Sequence, residues 1–373
     1  MIRYNFVNLV NFKKYVYETF YFGGEHTALI RGKNGVGKTT IFSAITWLFM
    51  DRDYEGHSNP NVATIGKEDD STEVTLNLSI DGVEHELMKI QTRKVNGDRV
   101  STTNSYKIDD VPYKKSDFFD KLDDLGVDIF KYDILTNINA FVGSRADEQR
   151  FLLLGLADEM NEVKIAHELG FLDLATELIK YCIGEIEAKE KQTIKSVEAK
   201  HGKKGILTNA KLDALKSLKA KTKNASFVKL IDTEIAELKE LQISNEQLIA
   251  DAERNLYQIE QIKNEMINRA TDEINSHFKG VSFKLWEKQK DGQIKPCCKA
   301  IIDGYELGTS TNTAREFLAK VSIINGLSDF YNLNMPILID GAEALDKDNL
   351  KAIKTNSQLL MAMVTNDKNL SIK

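Results

Sequence analysis

Cysteine, proline and tryptophan are scarce in this chain: 3, 4 and 2 of 373 residues. Three cysteines, Cys182, Cys297 and Cys298, are too few for a disulfide framework, and none falls in the paired CxxC spacing of a zinc site. The adjacent pair in KPCCKA reads as strand filling, since neighbouring strand residues point to opposite faces. Long apolar runs are also missing. The stretches ILIDGAEALD and FLLLGLA fall well short of the roughly 20 residues of a membrane span. The N-terminal MIRYNFVNLVNFKKY alternates like a strand and lacks the apolar block and small-residue cleavage site of a signal peptide. These absences predict a soluble cytoplasmic protein with no membrane partner.

What proline there is lies at the two ends, with Pro60 and Pro112 in the first third and Pro296 and Pro336 in the last fifth. Because proline breaks helix interiors, a proline-free middle rich in Glu, Lys, Leu, Ile and Ala predicts long helices. Alternate steps of four and three from Ile231 give Ile231, Ile235, Leu238, Gln242, Asn245, Ile249, Ala252, Leu256, Ile259, Lys263, Met266 and Ala270. Nine of these twelve are apolar, which is a heptad seam. An earlier helical stretch over about 158–200 carries Leu174, Leu178, Ile179, Ile183, Ile186, Ile194 and Val197, and HGKKG then supplies glycines for a turn. The arrangement expected is an antiparallel helical hairpin whose seam packs on its own partner arm.

The flanks read differently. IRYNFVNLV, TALIRG, EVTLNLSIDG, EHELMKIQTRKV and SYKIDDVPY are strand-like on one side; VSFKLWEK, PCCKAIIDG, MPILID and LLMAMVT are strand-like on the other. One α/β domain interrupted by a helical hairpin fits this texture better than three independent domains.

Apolar residues at 42% and charged residues at 28% are ordinary globular values, and the net charge of −6 excludes a protein that coats nucleic acid with its whole surface. The charge is unevenly spread. Nine lysines against Asp213 make the window 200–229 a net +8, so the remainder carries −14. Such a window is either a solvated face or a local anion-binding patch. Its lysines at 203, 204, 216, 219, 221 and 223 are the candidate DNA contacts: Lys203, Lys204, Lys216, Lys219, Lys221 and Lys223.

The strongest motif is GKNGVGKT, which matches the phosphate-binding P-loop in full, with a strand before it and an amphipathic helix expected after it. Gly32, Lys33, Asn34, Gly35, Val36, Gly37, Lys38, Thr39 and Thr40 are the expected nucleotide-binding residues. Glycines let backbone amides curl round phosphate oxygens at a helix N-terminus, Lys38 reaches the terminal phosphates, and the Thr39 hydroxyl ligates Mg2+. A second required part is an acid at the end of a buried strand, supplied by Asp340 in MPILID, which would hold the magnesium through water. The last strand ends in polar residues, where Asn366 is placed to sense phosphate.

A P-loop near the N-terminus, a helical hairpin in the middle and an acid-ended strand near the C-terminus resemble the SMC and SbcC type of ATPase, related to RecF and to the ABC ATPases. The resemblance runs from NFKKY through VTND and is closest to short-armed SMC-like ATPases of phages and prophages, several of which have Asp-Asn-Ala-Glu where this chain has DGAE. It implies an α/β ABC-type ATPase head split by an antiparallel coiled-coil hairpin. The N-terminal lobe would be 1–156, the hairpin 157–278 with its basic tip at 200–229, and the C-terminal lobe 279–373. It also implies Lys13 and Lys14 of NFKKY near the phosphates and Asn137 of LTNINAF in place of a magnesium-linked glutamine. TNTAR would stand for the signature LSGGE, reaching across a dimer to the partner's ATP through Asn312, Thr313 and Ala314. Leu345 and Asp346 would form the loop beside the acid, and Asn366 would replace a switch histidine. The substitutions at Asn137, Asn312, Thr313, Ala314 and Asn366 depart from the family pattern, and there is no CxxC hook.

Hydrolysis needs a general base within reach of water. The position after Asp340, where such ATPases most often carry glutamate, is Gly341; Glu343 two residues on can serve if the chain turns sharply there. Otherwise Glu343 caps or pairs locally and hydrolysis is very slow. Two functions remain open. One is a slow ATPase, dependent on ATP and Mg2+, that forms a homodimer with ATP between its heads, embraces DNA in repair, recombination or phage replication, and works with a nuclease or recombination partner. The other is a regulatory or defence ATPase that controls an effector protein without direct DNA binding. A transporter's nucleotide-binding subunit is disfavoured, because the hairpin interrupts the ATPase where transporters carry a compact helical subdomain.

Overall fold

The computed structural model describes the chain apart from residues 24–25, 68–69, 97–98, 159, 291–293 and 310–311. It divides into two compact units, one made of residues 1–156 with 273–373 and one of residues 157–272. In chain order the first part contains β1 (Ile2–Phe12), β2 (Tyr15–Tyr21), β3 (Thr27–Gly32), α1 (Lys38–Met50), β4 (Thr72–Ile80), β5 (Val83–Asn96), β6 (Arg99–Ile108) and β7 (Val111–Tyr113). Helices α2 (Lys115–Asp124), α3 (Ile129–Thr136), α4 (Ala140–Gly143) and α5 (Ala146–Leu154) follow. The second unit holds α6 (Glu162–Glu168), α7 (Leu172–Leu178), α8 (Ile183–His201), α9 (Ile206–Lys221) and most of α10 (Ala225–Ser276). The chain then returns to the first unit with β8 (Ser282–Lys288), β9 (Ile294–Ile302), β10 (Tyr305–Glu306), α11 (Thr313–Tyr331), β11 (Ile337–Asp340), α12 (Lys347–Ala352), β12 (Leu359–Val364) and β13 (Ser371–Ile372).

Among the described residues, three sheets build the first unit. Strands in the order β2-β1-β4-β5-β6-β7 form an antiparallel sheet. Along β1 the buried set moves from Ile2 and Tyr4 to Val7 and Leu9, and the change of parity comes from a bulge between Tyr4 and Phe6. A second sheet, β11-β12-β3-β13, pairs β3 in parallel with β12 and β12 with β11. Strands from both flanks of the chain therefore share one sheet, and the first unit is a single α/β body built from both. A small sheet, β10-β9-β8, carries Cys297 and Cys298 as free, half-buried strand residues.

Helix α1 packs against strands of both larger sheets, touching β1 and β4 on one side and β3 and β12 on another. Residues 41 to 49 of α1 are all buried, so it is not the amphipathic helix its position suggested. A helix covered on two sides by sheets has no solvent face to keep polar. Behind the parallel sheet, Val321 and Ile324 of α11 pack with Ile337, Ile339, Leu359 and Met361.

In the second unit all twelve seam positions from Ile231 to Ala270 are buried or half-buried. Cross-helix contacts show that the strands of the hairpin run antiparallel: Lys263 pairs with Glu187, Asn255 bonds Glu190, Lys211 pairs with Glu234 and Lys219 with Asp232. The separation in sequence shrinks steadily along that series, as antiparallel pairing requires. The helical stretch over 158–200 consists of three helices, α6, α7 and α8. Gly170, at φ 79°, ends the turn after α6, and Ile179 lies just past α7 and is exposed instead of joining Leu174, Leu178 and Ile186 in the core.

Candidate nucleotide site

Strand β3 ends at Gly32 and α1 begins at Lys38, so the loop between them turns straight from sheet into helix. Gly37 caps the helix at φ 96°, and a Cβ there would lie 2.3 Å from the Tyr15 hydroxyl. The position requires glycine on both counts. Lys38 is 7% exposed, and its Nζ donates to the carbonyls of Gly32 and Lys33, both at 2.9 Å. The Tyr15 hydroxyl donates to the carbonyls of Val36 at 3.0 Å and Gly37 at 3.2 Å, and Lys14 Nζ donates to Gly35 at 3.2 Å. The Lys33 amide donates to Asp367 O, and the Thr40 amide to Gly37 O.

Three fully buried residues, Ile337, Leu338 and Ile339, carry β11 to Asp340 beside this loop. Thr39 Oγ1 donates to Asp340 Oδ2 at 2.6 Å, joining residues 301 positions apart. Asp340 Oδ1 accepts from the Gly341 amide at 3.0 Å. A threonine hydroxyl and a carboxylate side by side at a helix N-terminus form a hard-oxygen pair of the kind that suits magnesium. The cleft around them is about 630 Å³ and is lined by Lys14, Asn34, Gly35, Gly37, Lys38, Thr39, Thr40, Tyr54, Glu55, Asn139, Asp340, Gly341, Glu343 and Val364. That volume is in the usual range for ligand sites.

The other expected residues sort into two groups. Gly341, at φ 82°, makes the sharp turn after Asp340 and brings Glu343 to the cleft, where its Oε2 accepts from the Val364 amide at 3.0 Å. The Asn137 side chain donates to Tyr54 O and accepts from the Asn139 amide, while Asn139 lines the cleft and accepts from Lys320 Nζ at 2.9 Å. Lys13 has φ 51° and donates its amide to Val62 O; the cleft's lysines are Lys14 and Lys38. Asn366 is exposed just beyond β12. Asn312 caps α11, accepting from the amides of Ala314 and Arg315, so Thr313 and Ala314 begin that helix away from the cleft lining. Thr311 lies outside the described residues.

Three cleft neighbours carry no sequence motif. Tyr15 follows Lys14 directly, which is the only local hint of it. Tyr54 donates from its hydroxyl to Leu338 O at 2.8 Å, and burial pushes its phenol up. Its loop is held by Asp53, whose Oδ1 accepts from the amides of Glu55 and His57. Asn139 sits two positions from the expected Asn137.

The tip lysines are partly neutralised. Lys211 pairs with Glu234 at 3.3 Å, Lys216 with Asp213 at 3.1 Å, and Lys219 with Asp232. Lys203, Lys221 and Lys223 are exposed; the side chain of Lys204 lies outside the described residues. Among the described residues no helix is long and apolar enough to cross a membrane.

The parallel core strand, P-loop and strand-end acid define a P-loop ATPase fold. A family model described as AAA domain matches residues 7–275, and the chain belongs to that family, whose members are ATPases. No curated protein matches the chain. Among solved structures it is similar to the Smc head domain with an extended coiled coil bound to the C-terminal domain of ScpA from Pyrococcus furiosus, at 16% identity over 100% of this chain and 96% of that one, TM-score 0.46. It is also similar to the Smc head domain with a coiled coil and joint from Pyrococcus yayanosii, at 16% identity over 100% and 97%, TM-score 0.40. A third is the recombination mediator protein RecF with ATP, at 15% identity over 98% and 94%, TM-score 0.40.

Proposed function

We propose that this chain binds ATP with Mg2+ at the α1 N-terminus, hydrolyses it slowly, and pairs with a second copy around the nucleotide to act on DNA in repair, recombination or phage replication. The observation that carries the nucleotide part is the 2.6 Å contact between Thr39 and Asp340, which brings the two expected metal-holding oxygens together beside the P-loop. When bound there, the ion would supply positive charge to the phosphate oxygens. Lys38 would exchange its two carbonyl partners for phosphate oxygens, and the loop amides would hold the rest. Titration of ATP with and without magnesium tests this: binding should need the metal, and magnesium-independent affinity would remove the ion site.

Glu343 is the proposed water-polarising acid. In the free protein its carboxylate accepts from the Val364 amide, so it must let go of that amide to reach water. A glutamate tied in this way fits slow turnover. Glu343→Gln should lower ATP hydrolysis by about 10²- to 10⁴-fold while leaving ATP affinity within about twofold and prolonging an ATP-bound dimer. An unchanged hydrolysis rate would remove Glu343 from the chemistry.

The DNA part rests on the exposed lysines of the hairpin tip and on the order of motifs. Contacts of lysine with phosphate should give sequence-independent binding that weakens steeply with salt. Lys221→Glu with Lys223→Glu should then lower DNA affinity at low salt by about tenfold. One observation favours the second reading, an ATPase that controls an effector protein: Lys211, Lys216 and Lys219 already have acidic partners, which lessens the tip's appeal to DNA. No DNA binding and no DNA effect on ATP hydrolysis at low salt would decide for it.

A further inference from the structure

We infer that Tyr15 is a positioning residue for the phosphate loop, aiming the Gly37 and Lys38 amides at bound phosphate through its hydroxyl. The inference rests on the nucleotide reading above and goes on to say what holds the loop in its binding shape. In a trans peptide the N–H points away from the carbonyl of the preceding residue. The carbonyl of Val36 is joined to the amide of Gly37, and the carbonyl of Gly37 to the amide of Lys38. The one proton of the Tyr15 hydroxyl is shared between those carbonyls, at 3.0 and 3.2 Å, and draws both toward the tyrosine, so that both amides face away from it.

Without that hydroxyl the Val36–Gly37 peptide is the one freed to turn over, while the Gly37 carbonyl keeps the Thr40 amide as a donor at 3.1 Å. Gly37 has φ 96° and no side chain to resist rotation of the peptides on either side of it. The tyrosine is itself well held. Its ring packs edge-on against Phe20 with centroids 5.1 Å apart, its carbonyl accepts from Thr64 Oγ1 at 3.3 Å, and β2 starts at it, paired to Phe12. Burial, with Glu18 nearby, pushes its phenol up, so it stays a neutral donor at physiological pH. The place a Gly37 Cβ would take, 2.3 Å from the hydroxyl, shows how closely loop and tyrosine fit.

The test uses the full chain with Tyr15→Phe, which keeps the ring and removes the hydroxyl. Affinity is measured for ATP and for inorganic tripolyphosphate, each with magnesium, and the unfolding temperature of the free protein is recorded beside it. The expected result is a loss of about tenfold for both ligands by the same factor, with the free protein's unfolding temperature unchanged. Equal affinity of Tyr15→Phe and the parent chain for both ligands overturns the inference. A loss confined to ATP also overturns it, since Tyr15 would then serve the nucleoside and not the phosphate cradle. Lys38→Ala separates the two levels of the argument. If Lys38→Ala loses tripolyphosphate binding and Tyr15→Phe does not, the inference alone fails; if Lys38→Ala binds like the parent chain, the nucleotide reading fails with it.

Discussion

Helix α1 holds a buried lysine at each end, and the two are neutralised differently. At the N-terminal end Lys38 donates to two backbone carbonyls, and among the described residues no carboxylate forms an ion pair with it. At the C-terminal end Lys89, fully buried, donates to Trp47 O at 2.6 Å and pairs with Asp51, and its ammonium lies 3.9 Å from the Trp47 ring centroid. Lys115 joins Asp51 from solvent at 2.6 Å. A helix carries partial positive charge at its N-terminus and partial negative charge at its C-terminus. Lys89 thus sits where the field favours a cation and has its own acid. Lys38 adds positive charge to an end that is already positive; among the described residues its ammonium bonds only to backbone carbonyls, and Asp340 and Glu343 share its cleft without pairing to it. One end is finished structure; the other is, on the proposed function, the end that an anion completes.

The comparison can be broken from either end. The larger effect is expected at Lys89, where Lys89→Ala empties one of the largest fully buried side chains and should destabilise the protein by about 2–5 kcal/mol in urea unfolding. ATP affinity of the folded fraction should not change. Next, Lys38→Ala should weaken ATP binding by about a hundredfold or more in calorimetric titration, with stability of the free protein shifting by no more than about 1 kcal/mol. A third effect is one of pH. Burial pushes the Lys89 ammonium down to about 8 although Asp51 pulls it back up, against an ordinary value of 10.5. Between those values the unfolded chain holds a proton that the folded chain has released, so this lysine opposes folding below about 8 and the penalty fades as pH rises. The stability of the parent chain relative to Lys89→Met should therefore rise from pH 8 to 10.5; a flat difference would mean that Asp51 keeps Lys89 charged throughout.

The P-loop end of α1 was legible in the sequence as a strand turning into a helix and the Lys89 end was not, for a physical reason. A P-loop is a local device: its glycines, lysine and threonine are consecutive, and their spacing alone fixes the turn into a helix. Asp340 was legible because three apolar residues running into an acid describe a core strand reaching the site. Lys89 reads as one more polar residue in the strand EHELMKIQTRKV, and its contact with Trp47 spans 42 positions that no pattern marks. Tyr15 and Tyr54 were missed for the same reason, since each matters through a hydroxyl that donates to a carbonyl of another element. The seam of α10 was legible residue by residue because helical period alone decides which face is covered. The pairing of part of the tip was not legible, because Asp232 and Glu234 lie outside the lysine window in sequence and beside it in space.

The most direct measurement is thermal unfolding of the parent chain and Lys38→Ala, each with and without saturating ATP and magnesium. A site completed by an anion predicts that ATP raises the parent chain's unfolding temperature by several degrees, that Lys38→Ala alone unfolds within a few degrees of the parent, and that ATP no longer moves it. If Lys38→Ala unfolds far below the parent chain and still gains as much from ATP, Lys38 is a structural lysine like Lys89, and α1 has no waiting end.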